Sequence, residues 1–318
     1  MTRKPRAVVF ANHDVGVRCL SVLLAAGVDV PLVVTHDEEP HEAAAFSSVV
    51  ETVISRGLNV ALPDDVNDDA FVQRVAALAP DFIFSFYYRQ MMSRRILDLA
   101  TRGAFNMHGS LLPKYRGRAP VNWAVIRGET RTGATLHYMT EKPDAGDIVD
   151  QEAVPILPDD TAFEVFRKIT VAAEIVLWRS LPALIAGTAR RIPQGPAAAS
   201  YFGRRRPEDG RIDWSADAKS IHDLVRGVAP PYPGAYTIVR GRTLRILRTV
   251  REPDRPQRSR TPALYVENDA CFVDCGGGGV LRVVESDLDG TALTAAAIDR
   301  ALGITGVLPL EARGRVAV

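Results

Sequence analysis

The residues with the greatest capacity for chemistry lie in one stretch of this 318-residue sequence, FNMHGSLLPKYRGRAP at residues 105–120. Asn106 and His108 are two positions apart, so on a β-strand their side chains lie on the same face. An amide donor and an imidazole would then enter one cleft. In a later loop, Asp144 can orient His108 and stabilise its protonated form. An amide, a titrating imidazole and an orienting carboxylate are groups that acid–base chemistry uses.

Alternating strand and helix patterns lead up to this stretch and predict a Rossmann-like, mostly parallel sheet flanked by helices. The predicted strands are 7–11, 29–35, 60–62, 82–86 and 104–107. The predicted helices are 15–26, 42–56, 67–78 and 93–100. Asn106 and His108 then stand at the carboxyl end of a strand, the edge where open α/β sheets form their sites.

The first strand-to-helix turn, residues 12–16, lacks the G-x-G-x-x-G pattern of dinucleotide-binding folds. A Rossmann-like fold that does not use a nicotinamide cofactor is therefore expected. His13 and Asp14 could contact a ligand in this turn, and a turn that caps the helix that follows is the favoured alternative.

Beyond the stretch, the pattern predicts a second, smaller domain. A helix at 120–127, strands at 132–139 and 148–154 and a long amphipathic helix at 161–186 come first. Residues 187–203 are rich in glycine, proline and alanine, which predicts a linker. The remainder predicts a helix at 216–227 and short strands at 235–239, 244–249, 263–267, 271–274 and 280–284. Short strands separated by turn residues predict a small barrel.

The sequence resembles the formyltransferase family that uses 10-formyltetrahydrofolate. That family shows Asn-x-His-x-Ser-Leu-Leu-Pro-x-x-Arg-Gly followed by Asp-x-Gly-x-Ile, and this chain has NMHGSLLPKYRG and DAGDI. Within the family, the resemblance is best to the polymyxin-resistance transformylases, which formylate UDP-4-amino-4-deoxy-L-arabinose for lipid A modification. It extends over residues 82–89, 117–123, 135–139 and 201–235, so it spans most of the chain.

The resemblance implies a catalytic domain over 1–190, a linker over 191–203 and an OB-like β-barrel domain over 204–318. It also implies acyl transfer, in which an amine attacks the formyl carbon and a tetrahedral oxyanion forms. Asn106 would donate to the oxyanion, His108 would share that role and move a proton, and Asp144 would orient His108. These three are the predicted catalytic residues.

The resemblance implies two sets of ligand contacts. The 10-formyltetrahydrofolate co-substrate is expected at Phe86, Tyr87, Tyr88, Arg118, Thr140, Glu141, Lys142, Pro143 and Asp144, with the contacts of 140–143 made largely through the backbone. The amino sugar nucleotide is expected at Ser110, Lys114, Tyr115, Arg116, Arg204, Arg205 and Tyr232. For Ser110 a bond to the loop backbone is the favoured alternative, and Arg118 could also face sugar phosphates.

The composition of the chain limits the kinds of partner that it is expected to bind. The net charge of +1 is weaker than the basic excess of most nucleic-acid-binding proteins, so no nucleic acid is expected. Three cysteines, Cys19, Cys271 and Cys275, cannot form a disulfide framework and are expected to be ordinary buried residues. No signal peptide and no apolar run of membrane-spanning length are recognised, so a cytoplasmic protein without a membrane partner is expected.

Four other functions agree less well with the sequence. A Ser/His/Asp hydrolase would need a nucleophile elbow that Ser110 lacks. A metal hydrolase would need a third clear ligand beside His108 and Asp144. Methionyl-tRNA formyltransferase is the alternative within the family, but it shows Gly-Ala-Ala-Pro and Asp-Thr-Gly-Asp where this chain has GRAP and DAGD. A folate- or nucleotide-binding module without catalysis is disfavoured because all three catalytic residues are present.

The sequence leaves the acceptor sugar and the oligomeric state open. A UDP-linked pyranose with a 4-amino group is expected, and a dTDP-linked 3- or 4-amino sugar is the alternative. The bifunctional relatives carry a downstream dehydrogenase domain, whereas this chain ends at Val318. The preceding oxidation is therefore expected from a separate dehydrogenase protein.

Overall fold

The computed structural model describes residues 3–37 and 45–311, which divide into two compact units. The N-terminal unit comprises Met1–Pro120, Arg131–Pro155 and Phe166–Gly203. The C-terminal unit comprises Val121–Thr130, Ile156–Val165 and Arg204–Val318. Residues 191–203, expected as a linker, group with the N-terminal unit, and two short segments from the first half of the chain group with the C-terminal unit.

The N-terminal unit is built on a sheet whose described strands have the order β3-β2-β1-β4-β5-β7-β8. These strands are β1 Arg6–Ala11, β2 Asp29–Val34, β3 Val60–Ala61, β4 Phe82–Phe86, β5 Ala104–His108, β7 Arg131–Tyr138 and β8 Ile148–Pro155. Strands β1 to β5 are parallel, and β7 and β8 extend the sheet in antiparallel pairing. The predicted Rossmann-like, mostly parallel sheet is confirmed.

Helices flank this sheet, and side-chain caps set where two of them begin. They are α1 His13–Ala25, α2 Val49–Ser55, α3 Asp69–Ala77, α4 Arg94–Leu97 and α6 Ala162–Ala186, whereas helix α5, Pro120–Ile126, groups almost wholly with the C-terminal unit. Ser48 accepts from the Glu51 amide before α2, and Asp68 accepts from the Ala70 amide before α3. The helix predicted over 42–56 therefore begins only at Val49, and the part of it over 42–44 lies outside the described residues.

Helix α6 corrects the expectation that no apolar run is long enough to cross a membrane. It has 25 residues and a mean hydropathy of 1.6 in its most apolar window, which passes that test by length and composition. Half of this window is buried inside the protein, as in the core helix of a globular domain, so the indication is weak. Val171, Ile175 and Trp178 lie on its exposed side.

The C-terminal unit contains an antiparallel sheet with the strand order β10-β11-β14-β13-β12-β16 and β15 beside β14. Its strands are β10 Ala235–Val239, β11 Arg242–Arg251, β12 Ala263–Glu267, β13 Ala270–Asp274, β14 Val280–Leu288, β15 Thr291–Ala292 and β16 Leu308–Pro309. Helix α7, Ala218–Val228, packs its apolar face on β11, and helix α8 spans Ala295–Leu302. This curled half-barrel confirms the predicted fold class, while α8, β15 and β16 were not predicted.

Two further short strands belong to neither large sheet. Strand β6, Arg116–Gly117, pairs in parallel with strand β9, Tyr201–Phe202. This pairing joins the stretch that follows β5 to the segment that follows α6, and both belong to the N-terminal unit.

A buried polar cluster ties the segment 156–165 to α7 inside the C-terminal unit. His222 is only 2 % exposed, and its Nε2 lies 3.0 Å from the Pro158 carbonyl oxygen, which can only accept. Its Nδ1 lies 2.9 Å from the Thr249 hydroxyl. Arg226 pairs with Asp223 at 2.6 Å and donates to the Asp160 carbonyl. Burial lowers the pKa of His222 most strongly, although its bond to Pro158 acts in the opposite direction.

This cluster predicts a pH-dependent stability for the C-terminal unit. As pH falls below about 6.5, the unfolded state binds a proton on residue 222 that the folded state resists, so stability present at neutral pH is lost. The free energy of unfolding should fall between pH 7 and pH 5, and His222→Gln should remove that part of the slope. Urea unfolding across this range tests it, and equal slopes for the two proteins would contradict it.

Candidate functional site

Strand β5 presents Asn106 and His108 at its carboxyl end, where strand β7 crosses it in antiparallel register. Asn106 lies opposite His137, and His108 lies opposite Thr135. Because side chains on opposed residues share a face, the register brings a second histidine beside the two predicted residues. Both rings are nearly buried, with exposures of 6 % for His108 and 2 % for His137.

Asp144 completes a compact polar cluster with these residues. Its Oδ1 lies 3.5 Å from His108 Nδ1 and 3.5 Å from His137 Nε2. The Asn106 amide nitrogen lies 3.4 Å from the same oxygen and 3.1 Å from His137 Nε2. The backbone N–H of Gly117 donates to Asp144 Oδ2 at 2.8 Å. The structure thus brings together Asn106, His108 and Asp144.

The environment of Asp144 keeps its carboxylate ionised. Burial by itself would raise the pKa of Asp144, but the His108 ring, the hydrogen bond from His137 and the Gly117 N–H outweigh that effect. The pKa of Asp144 is held well below its usual range. At neutral pH the cluster therefore contains a negative charge fixed between two imidazole rings.

Carbonyl groups determine the orientation of both rings. His108 Nε2 lies 2.7 Å from the Tyr115 carbonyl oxygen, so this nitrogen carries a proton and donates it. With Asp144 facing Nδ1, both nitrogens of His108 face acceptors. His137 Nδ1 lies 2.8 Å from the Tyr138 carbonyl oxygen, and its Nε2 lies 3.1 Å from the Asn106 amide nitrogen and 3.5 Å from Asp144 Oδ1. His137 thereby fixes the direction of the Asn106 amide.

Two glycines allow the loops of this cluster to approach one another. Gly117 has φ of 95°, and a Cβ atom there would collide with the Phe202 carbonyl oxygen. A Cβ atom at Gly146 would collide with the Tyr138 carbonyl oxygen. Neither position can hold another residue without moving the backbone that carries the Asp144 contacts.

The residues expected to contact folate all belong to the N-terminal unit. Phe86 is fully buried in β4, and the Tyr88 ring stacks on His36 at 4.1 Å. Tyr87 has φ of 62° at the strand end. Arg118 is exposed and donates to the Arg89 carbonyl. The Thr140 hydroxyl donates to the Lys142 carbonyl, and Thr140, Glu141, Lys142 and Pro143 are exposed.

The loop residues expected to contact the acceptor differ in accessibility. Ser110 is fully buried and donates to the Lys114 carbonyl at 2.7 Å, which matches the alternative of a bond to the loop backbone. Tyr115 is buried and stacks on Phe202. Lys114 is exposed, whereas the neighbouring Arg116 is only 5 % exposed. The guanidinium of Arg116 already donates hydrogen bonds to the Gln194 amide oxygen and to the Tyr201 hydroxyl.

The remaining acceptor candidates lie in the C-terminal unit. Arg204 is exposed. The guanidinium of Arg205 lies over the Trp123 ring, 5.2 Å from its centroid, and its buried Nη1 has no hydrogen-bond partner among the described residues. Tyr232 bonds to Asn122, and burial raises the pKa of Tyr232 to about 12 despite that bond.

Two residues at the site were missed by sequence reasoning. His137 stands in TLHYM, where only the register of β7 against β5 reveals that it faces Asn106. Gln194 stands in the predicted linker, yet its amide donates to the carbonyls of Asp144 and Gly146. In the sequence, His137 could have been noticed as the imidazole within the strand segment TLHYM. Gln194 could have been noticed only as an amide side chain between prolines and a glycine.

Solved structures of several enzymes share this fold. A structure of an N-formyltransferase from Helicobacter canadensis with folinic acid and dTDP-3-aminofucose has 17% identity and a TM-score of 0.71, covering 88% of this chain and 99% of that chain. WlaRD, a sugar 3N-formyltransferase solved with dTDP and 5-N-formyl-THF, has 17% identity and a TM-score of 0.68, with coverages of 88% and 98%. HypX from Aquifex aeolicus, solved with tetrahydrofolic acid, has 18% identity and a TM-score of 0.62, with coverages of 95% and 47%. At these identities the likeness establishes the fold.

Comparison of the sequence with protein families establishes more than the fold. The formyl transferase family matches residues 8–181, which is more than half of the chain. Its C-terminal domain family matches residues 205–301. The first match contains all of the polar cluster around Asp144, and the chain therefore belongs to the formyl transferase family.

Proposed function

We propose that this protein transfers the formyl group of 10-formyltetrahydrofolate to the amino group of a nucleotide-linked amino sugar. The observation that carries the proposal is the cluster of Asn106, His108 and Asp144 in a member of the formyl transferase family. Relatives of the same fold have been solved with folate compounds and with a dTDP-linked amino sugar, which supports both co-substrates.

The proposed reaction is acyl transfer. The acceptor amine attacks the formyl carbon, a C–N bond forms, and the carbonyl oxygen becomes an oxyanion. The Asn106 amide and the protonated ring of His108 stabilise that oxyanion. The amine loses a proton, the C–N bond to the folate nitrogen breaks, and that nitrogen leaves with a proton, so the charges balance. His108 can carry the proton between the two nitrogens if its Nε2 leaves the Tyr115 carbonyl when substrate binds, while Asp144 holds Nδ1 and stabilises the charge of the ring.

The folate is proposed to bind in the N-terminal unit between the end of β4 and the loop 140–144. The accessible side chain of Arg118 and the half-exposed rings of Tyr87 and Tyr88 support this location. The exposed residues 140–143 would contribute mainly backbone groups.

For the acceptor, the finer proposal is the 4-amino group of UDP-4-amino-4-deoxy-L-arabinose. It rests on the motifs GRAP and DAGD and on the segments YFGRR and PYPGA. Lys114 in the N-terminal unit and Arg204 in the C-terminal unit are the exposed cations among the acceptor candidates, and they are alternative partners for a diphosphate.

A panel assay tests the proposal. Release of tetrahydrofolate from 10-formyltetrahydrofolate is measured with UDP- and dTDP-linked 3- and 4-amino sugars, with initiator methionyl-tRNA as a separate arm. Formylation of one amino sugar nucleotide with high kcat/KM is expected. Turnover with methionyl-tRNA alone would overturn the sugar proposal, and no turnover with any acceptor would overturn formyl transfer itself.

Removing the oxyanion donor or the proton carrier should nearly abolish turnover. For Asn106→Ala we expect a loss of roughly a hundred- to a thousandfold in kcat, the usual effect of deleting one oxyanion donor. For His108→Ala the loss should be at least as large. Circular dichroism melting controls for folding, and near-normal kcat in either folded variant would contradict the catalytic roles.

The nearly buried charge of Asp144 predicts how the destabilisation caused by Asp144→Asn depends on pH. A carboxylate with a lowered folded-state pKa contributes stability above its unfolded pKa of about 3.9 and loses that contribution as pH falls further. The stability difference between the wild type and Asp144→Asn should therefore shrink as pH is lowered from 5 towards 3. Urea unfolding measures it, and Asp147→Asn in the same loop serves as the control. A difference that grows in acid would contradict an ionised Asp144.

The role proposed for Arg204 predicts a separation of two Michaelis constants. Arg204→Ala should raise KM for the amino sugar nucleotide about tenfold or more while leaving KM for 10-formyltetrahydrofolate nearly unchanged, because an arginine–phosphate pair is charge-assisted. Lys114→Ala is the parallel variant. If only the Lys114 variant raises the acceptor KM, the diphosphate binds at the loop that follows β5.

A further inference from the structure

The segment at residues 192–202 crosses the loops that carry the polar cluster, and we call it the crossing segment. Ile192 exchanges two backbone hydrogen bonds with Ile148, which begins strand β8. The Ser200 carbonyl accepts from the Arg116 amide, and its hydroxyl accepts from the Tyr115 amide. The crossing segment therefore contacts both the loop after β5 and the loop that contains Asp144.

Gln194 lies between these two loops and uses its whole hydrogen-bonding capacity. Its Nε2 donates to the Asp144 carbonyl at 2.9 Å and to the Gly146 carbonyl at 2.7 Å. Its Oε1 accepts from Arg116 Nε at 3.0 Å and from Arg116 Nη2 at 2.6 Å. A carboxamide has two donor hydrogens and two acceptor positions, and all four are occupied.

Arg116 fixes which way the Gln194 amide points. A guanidinium only donates, so the amide oxygen must face it and the amide nitrogen must face the loop of Asp144. The Arg116 side chain is held in turn by the Tyr201 hydroxyl, which accepts from its Nη1 at 2.8 Å, and it is almost wholly buried. The pair therefore has one stable arrangement.

The backbone held by Gln194 is the backbone that aims the Asp144 carboxylate. Asp144 has φ of 53°, in the left-handed region that a residue with a Cβ adopts only when its surroundings hold it. The carbonyls of Asp144 and Gly146 flank Ala145, so fixing both of them fixes this turn. The carboxylate can then meet the Gly117 N–H, His108 and His137 at the same time.

From these contacts we infer that Gln194 is a positioning residue for formyl transfer. It acts through the backbone of Asp144, and Arg116 orients Gln194 instead of binding the acceptor's phosphates. The inference rests on the proposed function, since positioning matters only if Asp144 serves the reaction. Misplacement of a catalytic group by about 1 Å can cost roughly a hundredfold in rate, so the four hydrogen bonds of one amide can have a large effect.

Two variants separate positioning from stability. Gln194→Met has a similar length and removes all four hydrogen bonds. Gln194→Glu keeps an acceptor for Arg116 and adds an ion pair, but it presents oxygens to the Asp144 and Gly146 carbonyls. Both should lower kcat roughly 10- to 100-fold, with smaller changes in KM, although only the Met variant should lose the contact to Arg116.

A spectroscopic readout reports the position of Asp144 without any turnover. The Gly117 amide proton donates to Asp144 Oδ2, so its chemical shift in a ¹H–¹⁵N spectrum responds to the carboxylate. In both Gln194 variants this signal should move towards its position in Asp144→Asn. The matched control is Gln151→Met, because Gln151 Nε2 also makes two hydrogen bonds, but to the Leu112 carbonyl and the Thr135 hydroxyl. That variant should lower the unfolding temperature while leaving kcat within about threefold.

The outcomes distinguish the inference from the function on which it rests. An unmoved Gly117 signal and an unchanged kcat in both Gln194 variants would overturn the positioning role while formyl transfer stands. A moved Gly117 signal in a protein that formylates no acceptor would leave the coupling of Gln194 to Asp144 intact and would overturn the proposed function. Equal losses of kcat in the Gln194 and Gln151 variants would show a general loss of packing and would overturn the inference.

Discussion

The N-terminal unit depends on one constraint, an ionised carboxylate held almost out of water. A buried charge without compensation costs several kcal/mol, so Asp144 is tolerable only where hydrogen-bond donors and positive charge converge on it. The Gly117 N–H meets one carboxylate oxygen, and His108 and His137 meet the other. Gly117, His108 and His137 lie on three separate parts of the chain. The need to bring all three to one carboxylate restricts how the loops fold.

The sheet supplies the fixed frame for this convergence. Strand β5 is the boundary between the parallel strands and the antiparallel pair β7 and β8. Side chains alternate along a strand, so a shift of one residue between β5 and β7 would send His137 to the opposite face. Leu136 is fully buried, and a shift would break the packing around it. Apolar packing of the sheet thus sets the polar geometry at its edge.

The sequence predicted much of the fold, because hydrophobic periodicity and capping residues are local signals. Strand β4 and strand β12 occur at the predicted residues, and β5 ends at the predicted pair of polar side chains. The burial of Arg116 could not be predicted, since a lone arginine in a loop carries no sign of its distant partners. His137 required the register of two strands, and Gln194 required contacts across 50 residues of sequence. Glycine, proline and alanine around Gln194 indicated a linker because composition reports flexibility of the isolated chain, not the contacts it makes when folded.

The parallel pairing of β6 with β9 has a consequence for the order in which the site can form during synthesis. All the described strands of the N-terminal sheet precede residue 156, so the sheet can assemble before the crossing segment has left the ribosome. The loop that holds Asp144 then lacks Gln194, and the loop after β5 lacks Ser200. A nascent chain that is already folded around its sheet would therefore carry every member of the polar cluster, yet its two loops would become fixed only when residues 192–202 emerge.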